Sequence, residues 1–491
     1  MFALVVWRPE PADDARRRIW GLVAAGAFTV VLAQTLSLLL TAGSLDVPLD
    51  RLLSRLAVTQ YFQATIARVL AAVLLGAIAL TVVRSPCPRR RPGLALGSVA
   101  ALVAATACTS HGAARLGDRS LVLAVSAVHQ LAASVWVGGL VHLLVTLGRS
   151  GVPPATARAI GRRFSTLAML SVSALVAGGV GLSLFYVDGA HGLIGTAYGL
   201  MVLTKVVLLG ALLALGGLNF VAVRAWWDEA APSRIRPLVE VELGVGATVL
   251  LVAASLASLP PAVDVVADRA TPAEVLTRFT PEWPSFASPP LEALPTDRAA
   301  PRTDADRAWS EYNHQVSGLF VLATGGLSVA ALAGARAARH WPLLFLGLAG
   351  FILFRSDPEA WPAGPQGFWA GMADVEVAQH RFFVLIVVAL GLVEWRVRTG
   401  RLRAPWAAGI FPLLCAVGGG LLLVHAHAGQ SVKADFLLEV THAPLGVLAL
   451  VVGWGRWLEV RLASPGSRLP AWLSAGALVA VGALLLLYRE R

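Results

Sequence analysis

SLVLAVSAVHQLAASVWVGGLVHLLVTLG, residues 120–148, is a run of 29 residues without one Asp, Glu, Lys or Arg. A helix needs about 20 mostly apolar residues to cross a bilayer. This run is long enough, and it carries a histidine, His129, well inside the apolar stretch. Both properties recur along the chain.

Similar apolar runs predict helices at 19–43, 62–84, 93–110, 120–148, 164–187, 197–223, 237–260, 313–335, 341–355, 380–395, 405–426, 434–455 and 469–488. The fold class expected is therefore an all-α polytopic membrane protein with about 13 transmembrane helices in two bundles. Composition agrees. Of 491 residues 57% are apolar and only 14% charged, against about 25% charged in a soluble domain. Mean hydropathy is +0.70. These values exclude a disordered chain, a nucleic-acid-binding arm and an ordinary cytosolic enzyme.

The net charge of +11 has a membrane explanation. Arginines cluster in seven loops: 16–18, 89–91, 158–163, 224–236, 336–339, 396–403 and 456–468. These loops alternate with the others when all 13 helices are counted, and the positive-inside rule assigns them to the cytoplasm. The opposite face holds 261–311, rich in Pro, with nine acidic residues against five arginines. It is expected as a periplasmic, partly irregular loop between a seven-helix bundle, 1–260, and a six-helix bundle, 312–491. Three cysteines make no disulfide framework. No nucleotide, Ser-His-Asp or zinc-protease fingerprint is present, so the chain is read as a non-enzyme without nucleic-acid partners. Gly178, Gly179 and Gly181 lie within an apolar helix and read as close-packing residues.

The histidines are not scattered. On this map His111, His425 and His427 end helices at the outer face, and His314 and His380 open helices from that face. His129 and His442 lie inside helices, about 13 Å and about 12 Å below their outer starts at 1.5 Å per residue. Polar groups at such depth are costly and carry a partner or a function. The two halves also echo each other: His111 precedes His129, and His425 and His427 precede His442, each by one helix connection. Neutral imidazoles suit copper, zinc, nickel and iron. The candidate metal residues are therefore His111, His129, His425, His427, His442, His314 and His380. Cys108 and Glu439 precede His111 and His442 by three residues and share their helical faces. Each histidine also has a plainer reading, as an interhelical hydrogen-bonding group or a helix-end group facing water. Lys205 and Asn219 read as bundle-internal polar groups. Glu240 and Glu242 read as solvated helix-start acids or a cytoplasmic exit site.

HQLAASVWVGGL, residues 129–140, resembles the H-x-x-A-A-x-x-W-x-G-G-L signature of the copper-resistance D family. Arg163-Phe164-Ser165 is similar to its R-F-S element. Gly195-Thr196-Ala197-Tyr198-Gly199, Lys205 and Leu218-Asn219 are similar to its G-T-x-Y-G, K and L-N positions. The resemblance covers roughly residues 105–260. Pieces of the C-terminal half, such as Phe354–Pro362 and Gln379-His380-Arg381, resemble extended members. The family's first helix is expected to be shortened at Met1, and no small periplasmic copper-binding domain is seen. The resemblance implies a bacterial inner-membrane protein moving copper inward from the periplasm, with His111 and His129 as site positions and a periplasmic copper-binding protein as a partner. The alternative is a membrane cytochrome holding haem b between histidines such as His129 and His442.

Overall fold

The computed structural model describes residues 6, 13–44, 56–85, 92–148, 154–224, 231–294, 303–424, 431–462 and 468–490. Among them no strand forms. The helices are α1 Asp13–Ser44, α2 Gln60–Arg84, α3 Pro92–Ala107, α4 Arg119–Leu147, α5 Pro154–Tyr186, α6 Gly189–Ile194, α7 Ala197–Arg224 and α8 Ala231–Leu256. They continue with α9 Pro272–Phe279, α10 Asp304–Leu332, α11 Leu344–Arg355, α12 Phe368–Met372, α13 Val375–Arg398, α14 Ile410–Leu423, α15 Val432–Arg461 and α16 Leu469–Leu486. Helices are the natural outcome, because a lipid-exposed backbone must satisfy its own N–H and C=O groups.

The chain is a multi-pass membrane protein. Eleven helices among the described residues are long and apolar enough to cross a membrane. The segments expected at 93–110 and 405–426 are helical but shorter. α3 has 16 residues and α14 has 14, the latter extended by a 3-10 turn at Ala407–Gly409.

The residues gather into two compact units. One comprises 1–186 and 216–243, the other 187–215 and 244–491. In the first, α1 packs on α2 and α4 on α5. Gly139 leaves room for the ring of Phe164: a Cβ there would sit 2.5 Å from it. In the second, α10 lies against α16 and α14 against α15. Both contacts are backbone-close. A Cβ on Gly482 would meet the backbone of Leu322, and one on Gly453 would lie 2.6 Å from Pro412 O. Small residues at such crossings let helices approach without a water-driven hydrophobic force. Trp341, Phe345 and Phe411 fill the core beside them.

The described part of the 261–311 segment, in the second unit, is more ordered than expected. It forms 3-10 turns at Ala262–Asp264, Val266–Asp268 and Leu291–Ala293, with α9 between them. Thr271 and Glu274 close a capping box at the start of α9. Lys433 binds Glu274 at 2.6 Å, Arg489 binds Glu282 at 2.7 Å, and Ser285 N donates to Gln315 Oε1 at 2.8 Å. These contacts tie the segment to the first turn of α15, to Gln315 about three turns into α10, and to Arg489 just past α16.

Candidate functional site

Two helix starts bring the main cluster together. α10 begins at Asp304, where Thr303 and Asp306 form a capping box. That is nine residues before the apolar run predicted to open at 313. His314 is therefore ten residues beyond the first residue of its helix, not at its mouth. His442 is likewise ten residues into α15. The reason is physical: capping groups and an exposed polar turn start a helix where hydropathy registers only a loop.

In the second unit the rings of His314 and His442 stand edge to face, centroids 5.6 Å apart. Tyr488 stacks on His314 at 3.9 Å and meets His442 at 6.0 Å. His314 Nδ1 lies 2.8 Å from Ser310 O, and His442 Nδ1 lies 2.8 Å from Leu438 O. A carbonyl oxygen only accepts, so Nδ1 carries the proton in each ring. The lone pair of the neutral ring then sits on Nε2, the arrangement a metal-binding imidazole requires.

His442, 9% exposed, also lines a cavity of ≈ 40 Å³ together with Glu439, Ala443, Met201, Ser255, Leu259 and residues 422–424. One water-sized sphere needs about 10–15 Å³ on this measure, so the space suits an ion with a few small ligands. Glu439 shares the His442 face, as its spacing predicted. Met201 and Tyr488 escaped sequence reading. An isolated Met in an apolar helix carries no signal, and Tyr488 is remote in sequence from both histidines.

The other candidates are placed as follows. His425 and His427 lie outside the described residues. His111 does not end α3, which stops at Ala107. It opens a 3-10 turn, His111–Ala114, with its ring 6.2 Å from that of Tyr186. His129, in the first unit, is again ten residues into its helix, α4. Its Nδ1 lies 2.8 Å from Leu175 O on α5, and the ring packs against Gly178 and Gly179. His380 lies within the first two turns of α13, its Nδ1 2.8 Å from buried Asp357, which also faces Arg381 at 3.4 Å. Burial opposes the Asp357 charge. The hydrogen bond and charge of His380, with help from Ser356 and Arg381, outweigh it and hold this carboxyl below its ordinary value. Among the described residues no group of three or more His, Cys, Asp or Glu is arranged to hold a metal ion.

Two further buried clusters differ in kind. In the second unit Glu394 is fully buried and binds Arg398 at 2.6 Å and Arg456 at 3.0 Å, while Arg456 also binds Glu459 at 2.9 Å. In the first unit Glu242 is 4% exposed. It accepts from Trp136 Nε1 at 3.0 Å and from Asn219 Nδ2 at 2.7 Å. α8 begins at Ala231, so Glu242 lies three turns inside the helix. The solvated helix-start reading of Glu242 is thereby corrected.

Residues 158–256 match the family model of copper resistance protein D. The copper transport protein CutJ of Bacillus subtilis (strain 168) is 30% identical over 161 residues, 32% of this chain. The match spans 29% of that relative's length. No solved structure matches the chain. His111 and His129 precede the residues that match the family model, whereas Asn219 and Glu242 lie within them.

Proposed function

Starting from a chain whose residues 158–256 match the family model of copper resistance protein D, we propose that it binds copper ions within the membrane and moves them across it. The observation that carries this reading is the small cavity beside His442. His442, Glu439 and Met201, an imidazole, a carboxylate and a thioether residue, line one space of ≈ 40 Å³, and a second imidazole, His314, stands 5.6 Å from the first. An ion bonded at about 2 Å to both Nε2 atoms sets ring centroids roughly 5–6 Å apart. Imidazole and thioether together suit copper better than hard cations do.

In this reading the bacterial inner membrane holds the protein. The arginine loops face the cytoplasm, as the positive-inside rule assigns them, and the acidic 261–311 segment faces the periplasm and attracts cations. Copper enters beside His314 and His442 and moves inward. His425 and His427, close in sequence to the cavity-lining residues 422–424, are proposed as entry ligands, as is His380 of the same half. The N-terminal bundle, 1–260, with His111 and His129, is proposed as the onward path. A periplasmic copper-binding protein is the proposed donor.

The haem b alternative is less well supported. A ligand pocket for a molecule of that class occupies about 300 Å³ or more, and the space at His442 is far smaller.

Metal analysis and an absorption spectrum of the purified protein test the reading. The wild type binds copper without a Soret band. His442→Ala and His314→Ala each weaken binding by about tenfold or more, as loss of one ligand does when about 1.4 kcal/mol or more is removed. His129→Ala weakens it less. Unchanged copper affinity in a His314→Ala, His442→Ala double variant would rule the site out.

A further inference from the structure

The Glu242 cluster has no part in the copper site, and its chemistry is unusual. A carboxylate in a membrane-spanning helix ordinarily finds a cation or a route to water. Among the described residues Glu242 has no cation partner. Its two oxygens take N–H donors from Trp136 and Asn219, both neutral. Beside them Asn219 Oδ1 is buried, with no hydrogen-bond partner among the described residues. A buried group of three oxygen acceptors and two neutral donors lacks one positive charge and one hydrogen-bond donor. A single proton supplies both.

The charged and titratable groups around it are otherwise engaged. On α8 itself Arg236 and Glu240 bind each other at 3.0 Å. On α4 His129 and His142 hold the carbonyls of Leu175 and Gly138. On α7 Arg224 lies over the Phe220 ring at 4.2 Å, and Lys205 is 14 residues before Asn219. On α15, which meets α8 where Trp454 packs on Gly244, Arg456 is bound to Glu394 and Glu459. None of these cations forms an ion pair with Glu242 among the described residues.

We propose that Glu242, held by Trp136 and Asn219, is a reversible proton-binding site within the membrane, and that its protonation state controls movement of the cation through this protein. The step is a simple one. A proton from the aqueous phase bonds to a Glu242 carboxylate oxygen, and the resulting O–H donates to an acceptor such as Asn219 Oδ1. Its release restores the carboxylate. The helices provide the link: α7 carries both Met201 and Asn219, and α8 carries both Ser255 and Glu242. A change in how α7 and α8 are held at Glu242 is thereby felt along the helices that line the copper cavity. Rigid elements with two arrangements are the physical means by which separated sites couple.

The proton site stands without the copper reading; its control of transport rests on it. Two experiments keep them apart. The first is an infrared pH titration of the purified protein, following the C=O stretch of protonated carboxyl groups. The wild type shows a buried-carboxyl band that appears as pH falls and is missing in Glu242→Gln. In Trp136→Phe the midpoint rises by roughly one pH unit, because one donor to the ionised form is lost. A titration identical in wild type and Glu242→Gln, with both monodisperse, overturns the proton site. The second is copper uptake into proteoliposomes with and without a pH gradient. The gradient alters the wild-type rate by about fivefold or more, the lower range of ordinary site–site coupling, and leaves Glu242→Gln unaffected. Uptake equally insensitive to the gradient in both overturns the control role. Absence of any uptake overturns the transport reading and leaves the infrared result to decide the proton site.

Discussion

Glu242 and Glu394 are both carboxylates buried in spanning helices, one in each compact unit, and their surroundings are opposite. Glu394 is wedged between Arg398 and Arg456, and Glu459 extends the pairing. Among the described residues Glu242 is held by an indole N–H and an amide. The histidines repeat the contrast. His129 in the first unit is held by a carbonyl of the adjacent helix and fitted against glycines. His442 in the second is held by its own helix and turned toward His314, Tyr488 and a cavity. The same side-chain types thus serve different ends. A carboxylate locked among arginines ties helices together through ion pairs, whereas one held by neutral donors is proposed to exchange a proton. A histidine used as a clamp between helices has less chemistry to offer than one beside an empty space.

The largest effect expected from this contrast is on stability. Glu394→Ala leaves buried Arg456 and partly buried Arg398 without their shared counter-charge and costs about 3–5 kcal/mol, as breaking a buried ion pair does. Thermal unfolding in detergent would register it. Glu242→Gln, which removes no ion pair, should leave the unfolding transition near that of the wild type. Equal losses in the two variants would erase the distinction drawn here.

The next effect concerns His129. A Cβ on Gly178 would lie 3.0 Å from His129 Cβ and 3.3 Å from its Nδ1. Gly178→Val therefore forces α5 away from α4 and costs about 1–3 kcal/mol, typical of overpacking, again read by thermal unfolding. Copper affinity at His442 should be retained. Loss of copper binding in Gly178→Val would show that His129 belongs to the copper site after all.

The smallest effect is a pH dependence confined to the second unit. The Lys433 hydrogen bond, aided by the Thr271 backbone and side chain, holds the exposed Glu274 carboxyl down at about 2. A depressed value means that the contribution is fully present above the ordinary carboxylate range. It fades as pH falls from about 4.3 toward 2. Hydrogen exchange over α9 should be flat down to that range and rise below it. In Glu274→Gln it should be raised throughout and nearly independent of pH. An unchanged profile in the variant would detach this pair from the docking of α9.

Much of the fold was legible because hydropathy acts residue by residue. An uncharged run such as 120–148 has no stable alternative to a helix in lipid. The close-packing role of Gly178 and Gly179 was legible too, and their contact turned out to be His129. Less legible were the starts of helices. The polar turn Asp304–Glu311 looked like loop, so His314 was assigned to the membrane surface, and the T-x-x-D box at 303–306 was the available signal. Glu242 was misread for the same reason, since α8 starts at 231.

By itself the sequence determined the class of protein, the helical order and the residue types available for chemistry, since these follow from solvent transfer and local capping. It also carried residues 158–256, which match the family model of copper resistance protein D. Only the tertiary structure decided the partners. Tyr488 reaches His314 across 174 positions and Trp136 reaches Glu242 across 106. No local rule governs such pairs. They follow from which helix faces pack together, and the free energy of a buried polar group depends on what that packing places beside it.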